Sequence, residues 1–247
     1  QAIVKNGAIV AEAQAGDEVE IIVNQTPFYA ESGGQAGDAG RISSDGGLSF
    51  HVRDVKKRAG KLHGHIGIVE KGRVRPGDAV KLAIDVERRD ATRANHSATH
   101  LLHKALRDIL GAHVAQKGSL VAVDRLRFDF SHPKALTAEE IAEIERRVNA
   151  VVRQNRDVST RLMTYDEAVA AGAIALFGEK YEEDVRVLSM GLADDGADYS
   201  VELCGGTHAR RTGDIAIFKI VGESAVAAGV RRIEALTGEA ARLYLEE

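Results

Sequence analysis

Short apolar or alternating runs fill the first third of the chain, including Val19 to Val23, Leu48 to Val52, Leu62 to Val69 and Val80 to Ile84, with glycine-rich turns between them. Period-two patterning broken by turn residues predicts strands, and a small β-barrel or sandwich is their natural closure. Gly16-Asp17, Gly37-Asp38 and Gly77-Asp78 are expected to mark turns, glycine supplying positive φ and aspartate bonding nearby backbone. The texture changes near Val86-Glu87-Arg88-Arg89-Asp90, from where a helix is predicted to Leu110, ended by Gly111. Strands follow at Gly118 to Val123 and Leu126 to Phe130. Thr137 with Glu140 forms a capping-box pattern opening a helix whose apolar stripe is Ile141, Ile144, Val148 and Val151. A shorter helix is predicted over Tyr165 to Ala171, strands over Val185 to Met190, Ile215 to Val221 and Val230 to Leu236, and a helix from Gly238. Strands without a βαβ rhythm predict an α+β fold with a mainly antiparallel sheet, divided into residues 1–88 and 89–247.

The chain has 247 residues, 44% of them hydrophobic, enough for one large domain or two ordinary ones. It lacks the roughly 18 uninterrupted apolar residues of a membrane span and the basic and apolar regions of a signal peptide, so no membrane partner and a cytoplasmic location are expected. The start at Gln1 rather than Met suggests an excised segment. A net charge of -4 argues against nucleic-acid binding by the whole surface. Between His51 and Arg89, however, eleven Lys or Arg face five acids, an excess of six. That pattern fits a basic face or a merely solvated sheet surface.

His96-Ser-Ala-Thr-His100 lies in the predicted helix, where residues four apart share a face and can hold one metal ion. His103 falls on nearly the same face, as a decoy or a support for the ligands. Cys204, the single cysteine, excludes an internal disulfide and is a buried filler, a nucleophile or a ligand. Its place in Cys204-Gly-Gly-Thr-His208 favours the last, because zinc takes thiolate and imidazole together. Ser97 stands where a zincin peptidase needs its glutamate base, so peptide hydrolysis by that scheme is excluded. The distance between the ligand pairs is too long for a classical zinc finger.

The helix Arg93-Ala-Asn-His96-Ser-Ala-Thr-His100-Leu-Leu-His103, the segments Gln116-Lys-Gly-Ser119, Cys204-Gly-Gly-Thr-His208 and Gly229-Val-Arg-Arg-Ile-Glu-Ala235, and the N-terminal Phe28-Tyr-Ala-Glu-Ser-Gly-Gly-Gln35 together resemble alanyl-tRNA synthetase over nearly the whole chain. The resemblance implies a β-barrel followed by an editing domain, which is shared with free-standing alanyl-tRNA editing proteins and related to one in threonyl-tRNA synthetase. It implies zinc as cofactor, held by His96, His100, Cys204 and His208, and hydrolysis of the ester joining serine or glycine to the tRNA for alanine. The partners implied are tRNA and the remaining domains of a parent synthetase. Amino-acid activation with ATP is expected to belong to that parent rather than to this segment.

An apolar pocket discriminates poorly against an isostere that adds a hydroxyl, so a second, sorting site is needed. Size cannot favour serine over the smaller alanine. A polar pocket of Gln116, Ser119 and Thr99 can bond the serine hydroxyl, whereas alanine leaves those groups unpaired at about 1 to 3 kcal/mol. For glycine, the space of the missing methyl leaves room for a water. Four protein ligands normally close a zinc site, so substrate positioning with polarisation is the expected role. Arg231 and Arg232 are candidate phosphate contacts, of which strand alternation lets only one reach the site, or else salt-bridge partners on the sheet surface; Lys56, Lys57 and Arg58 are candidates for electrostatic tRNA binding. Glu31-Ser-Gly-Gly34 lacks the lysine and spacing of a P-loop and reads as a turn. Two further readings are a tRNA-binding module with a structural zinc and a free-standing trans-editing protein.

Overall fold

Alternation of inward apolar and outward polar residues assembles an antiparallel sheet in the N-terminal part of the chain. Its strands are β1 (Ala2–Lys5), β2 (Ala8–Ile9), β4 (Glu18–Ile22), β5 (Gly40–Ser43), β6 (Ser49–Arg58), β7 (Leu62–Lys71) and β9 (Lys81–Ile84), while β3 (Ala13–Gln14) pairs apart with β8 (Arg73–Val74). The computed structural model describes residues 1–174 and 183–247 and divides into two units, Gln1–Asp90 and Ala91–Glu247. The first unit's core gathers Ile3, Val19, Ile21, Ile42, Phe50, Val52, Val55 and Val69.

The expected barrel does not close. The sheet runs β2-β1-β4-β7-β6-β5-β9, and no ladder joins β2 to β9. Strand β2 has only two residues and, among the described residues, its ladder is with β1, so that edge stays open although Ile9 on it is apolar and exposed. Of the three Gly-Asp pairs, two behave as expected. Gly16 and Gly77 take φ of +91° and +96°, and Asp17 and Asp78 accept the backbone N–H groups of Gln14 and Arg75. Gly37 differs: its φ is not positive, and a Cβ there would come within 2.5 Å of Asp54 Oδ1 and the Val55 carbonyl. Close approach of two backbones demands that glycine.

Helix α1 (Val86–Leu110) opens with the Asp85 carboxylate accepting the Arg88 N–H and ends where Gly111 N–H bonds the Arg107 carbonyl. One face is apolar, with Ala94, Ala98, Leu101, Leu102, Ala105 and Leu106 buried. At 3.6 residues per turn, His96, His100 and His103 form a stripe on the other side, and that stripe is buried too. Strands β10 (Gln116–Val121) and β11 (Leu126–Ser131) precede α2 (Ala138–Arg153), whose capping box joins Thr137 and Glu140 and which buries Ile144, Val148, Val151 and Val152. A second capping box, Thr164 with Glu167, opens α3 (Tyr165–Ala170).

Two antiparallel sheets complete the second unit. One has the order β10-β11-β16-β15, with β15 Phe218–Ala227 and β16 Val230–Thr237; the other is β12-β13-β14, with β12 Ser159–Thr164, β13 Asp184–Leu192 and β14 Asp198–Leu203. Helix α4 (Gly238–Glu246) follows. The core cluster of this unit draws on α1, α2 and both sheets, through Leu101, Phe128, Val148, Leu188, Phe218 and Ile233 among others. The strand expected from Ile215 starts later, because Thr212–Ile215 is a single 3-10 turn and Phe218 begins the ladder. Strands β12 and β14 had no apolar run to announce them: β12 is almost wholly exposed, and β14 turns two polar residues, Ser200 and Glu202, inward. No helix of the described residues is long and apolar enough to cross a membrane.

Candidate metal centre

His96 and His100 project one turn apart from α1, and Cys204 and His208 come from the loop that follows β14. One ligand atom from each of the four lies within 4.8 Å of those of the other three. His96, His100 and His208 are at most 8% exposed, and Cys204 Sγ lies 3.5 Å from His96 Nε2. His100 Nε2 and both ring nitrogens of His208 are buried without a hydrogen bond of good geometry. Buried donors turned towards one sulfur with nothing to bond are what an ion would satisfy, and one thiolate with three imidazoles is a zinc donor set.

The loop is tied from several sides. Cys204 N–H bonds the Arg186 carbonyl, Arg186 returns a hydrogen bond of 2.8 Å to the Gly206 carbonyl, and Gly206 N–H points at Cys204 Sγ at 3.4 Å. From the helix side, the hydroxyl of fully buried Ser97 accepts the Ala209 N–H at 3.0 Å. Ser97, noticed in the sequence only for the glutamate it replaces, thus fastens the residue after His208 to the helix carrying the other ligands.

Glu202 was missed by the sequence reading. It is 1% exposed, and its two oxygens take separate partners, His100 Nδ1 at 2.5 Å and His103 Nδ1 at 2.8 Å. The signal available was an acid two residues before Cys204 in a segment too polar to read as a strand. These neighbouring groups shift one another's protonation. Burial favours a neutral Glu202, but His100 and His103 hold the carboxyl down at about 2. Burial likewise opposes a charge on His100, yet Glu202 and Cys204 raise it to about 10. Burial would raise the Cys204 thiol, and His96 and His100 overcome it, holding the thiol well below its ordinary range. Burial, with His96 beside it, lowers His208 to about 3.

Cross-strand partners point to the same side of a sheet. Gln116 pairs with Phe130 and Ser119 with Phe128, because a bulge between Gln116 and Gly118 absorbs one residue. Gln116 and Ser119, three apart, therefore share a face, the one on which Phe128 meets His103 of α1 at 5.3 Å between rings. Thr99 is buried on α1, and its hydroxyl donates back to the Asn95 carbonyl at 2.8 Å, leaving its lone pairs as acceptors.

The cations are mostly engaged. Arg231 lies opposite Phe130, on the Gln116 face, and Arg232 opposite Asp129, on the other. Each makes a two-pronged ion pair, Arg231 with Glu223 and Arg232 with Asp129. Lys56 pairs with Glu31, Arg58 with Glu20, and Lys57 donates to the Ser32 hydroxyl. Six of the eleven cations between His51 and Arg89 find carboxylates outside that window: Glu18, Glu31, Glu20, Glu12, Asp45 and Asp38. That cancels the excess of six counted along the sequence. Glu31-Ser-Gly-Gly34 is a turn, closed by backbone hydrogen bonds between Ser32 and Gln35.

Two family models match the chain: tRNA synthetases class II (A) over residues 1–88 and the threonyl and alanyl tRNA synthetase second additional domain over residues 185–234. The alanine–tRNA ligases of Rhizorhabdus wittichii and Sphingopyxis alaskensis are each 66% identical to it, over 100% and 99% of this chain. That of Parvibaculum lavamentivorans is 63% identical over 99%. The chain spans 28% of the length of each of these relatives. With two family segments in place and this identity along its whole length, the chain belongs to the alanyl-tRNA synthetase family.

Proposed function

We propose that this chain is the editing part of a cytoplasmic alanine–tRNA ligase and hydrolyses the ester of serine or glycine on the tRNA for alanine with the help of zinc. The observation that carries this reading is the convergence of His96, His100, Cys204 and His208, with His100 Nε2 and both ring nitrogens of His208 buried without a hydrogen bond beside the thiol. Bound there, zinc supplies Lewis acidity and a fixed positive point near the ester. The chain's own residues do the sorting. Gln116 and Ser119, on the sheet face towards the histidine helix, and the acceptor lone pairs of Thr99 bond the serine hydroxyl and hold the attacking water. Water adds to the ester carbonyl carbon, the bond to the ribose oxygen breaks, and that oxygen leaves with a proton. Alanine leaves the polar lining unpaired, a penalty of about 1 to 3 kcal/mol.

Arg231, on the same face as Gln116, serves the acceptor-end phosphates by exchanging Glu223 for phosphate, with Arg232 kept to Asp129 on the far face. Lys56 and Arg58 likewise bind tRNA by leaving their carboxylates, while Lys57, held only by a hydroxyl, binds without that exchange.

Deacylation of Ser-tRNA and Ala-tRNA, with and without chelator, tests the proposal. Ser-tRNA is expected to be cleaved in preference, and chelation to remove that activity while leaving most of the circular dichroism. Equal cleavage of both substrates would end the editing reading. One observation favours a second reading: four protein side chains, their ligand atoms within 4.8 Å of one another, would suffice to fill every position of a zinc ion, as in structural sites. Loss of the fold together with zinc would decide for a tRNA-binding module.

A further inference from the structure

We propose that Glu202, braced by His103, is the countercharge and positioning residue of this metal centre. The inference rests on the reading that His96, His100, Cys204 and His208 hold a divalent ion. Three neutral imidazoles and one thiolate around such an ion leave one net positive charge in a pocket whose histidines are at most 8% exposed. A buried net charge is costly unless something nearby cancels it. Glu202 is a carboxylate placed to do so, reaching His100 Nδ1 at 2.5 Å. The ion, the thiolate and this carboxylate then sum to zero.

The same bond sets direction. With Nδ1–H of His100 given to Glu202, Nε2 is the nitrogen presented to the cluster, and it is one of the buried atoms with no other partner. A carboxylate behind a ligating histidine fixes its tautomer and makes it a better donor. His103 explains itself on this account. It is 2% exposed, contributes no atom to the four-ligand group, and its Nδ1–H goes to the second oxygen of Glu202 at 2.8 Å. That bond keeps the carboxylate from turning away from His100, while the ring packs on Phe128. His103 acts on the metal through Glu202 and so has no effect of its own once Glu202 is neutral.

Zinc affinity, read by competition with a chromophoric chelator on the full chain, tests this without measuring activity. Glu202→Gln is expected to weaken binding about 10- to 100-fold, the usual range for losing such a support. His103→Phe, which keeps the ring and removes the donor, should weaken it less. His103→Asn, which places a donor near the position of Nδ1, should restore affinity, a rescue that simple packing would not give. The double variant Glu202→Gln with His103→Phe should bind no more weakly than Glu202→Gln alone. Affinity of Glu202→Gln within twofold of the unmodified chain, or additive losses in the double variant, would overturn the proposal. If Glu202→Gln does not fold, His103→Phe decides, with unchanged affinity as the refuting result. Failure of the unmodified chain to bind zinc would instead refute the four-ligand reading on which this one stands.

Discussion

Ser97→Ala probes whether the metal-bearing loop is held by the helix. Ser97 is 0% exposed, and its oxygen accepts the Ala209 N–H at 3.0 Å, across 112 positions of chain. Alanine fits the space, so no strain is introduced. What remains is a buried backbone donor without a partner, which costs about 1 to 3 kcal/mol. The other ties of the loop, Cys204 N–H to the Arg186 carbonyl and Arg186 to the Gly206 carbonyl, are untouched. The variant should therefore still bind one zinc per chain but unfold more readily, its folded-to-unfolded ratio lower by about 5- to 150-fold. Urea denaturation at fixed excess zinc measures this, and the m-value should not change if only stability is affected. A loss smaller than about 0.5 kcal/mol, the range of an ordinary surface substitution, would show that Ala209 finds another acceptor and that Ser97 is not the anchor.

Removing one partner of the buried Asp38–Arg89 pair, whose side chains are 6% and 8% exposed, leaves the other uncompensated; Asp38→Ala should cost about 3 to 5 kcal/mol in denaturant unfolding. Gly37→Ala should also destabilise the first unit, since its Cβ would meet the Val55 carbonyl at 2.5 Å, and a melting temperature equal to that of the unmodified chain would contradict the close approach. His65 is fully buried between the Ile21 carbonyl and the Thr26 hydroxyl, and burial lowers its pKa below the ordinary 6.5. The unfolded chain therefore binds the proton more readily, so this stability is present above about pH 6.5 and is lost as pH falls through the folded value. Urea midpoints between pH 7.5 and 5 should fall more steeply for the unmodified chain than for His65→Gln. One zinc per chain is expected by elemental analysis, and equal zinc in the His100→Ala, His208→Ala double variant would remove the ligand assignment.

The helices were legible because their signals are local. The capping box at Thr137 and Glu140 and the apolar stripe behind it lie within one stretch of chain, and the structure reproduces both. The spacing of His96 and His100 is likewise a property of a single helix, and Cys204 with His208 of a single loop. Local patterning also located β13 and β16 to within a few residues.

What depended on distant chain segments was not legible. Closure of the N-terminal sheet required β2 to meet β9, and which strands end as edges is decided by pairing between segments more than seventy positions apart, not by the local pattern of either. The basic excess between His51 and Arg89 was real as a count, yet Glu12, Glu18, Glu20, Glu31, Asp38 and Asp45 cancel it from outside the window. Charge acts through distance in space, so a tally along the chain cannot see its partners. Glu202 shows the same limit most plainly. Its sequence neighbours make it one acid among thirty-seven Asp and Glu. Only folding brings it to His100 and His103, about a hundred residues earlier, where burial forces a carboxylate to bond both. The sequence alone determined which residues could bind a metal; the tertiary structure decided what surrounds them, because burial and pairing exist only between segments that folding brings together.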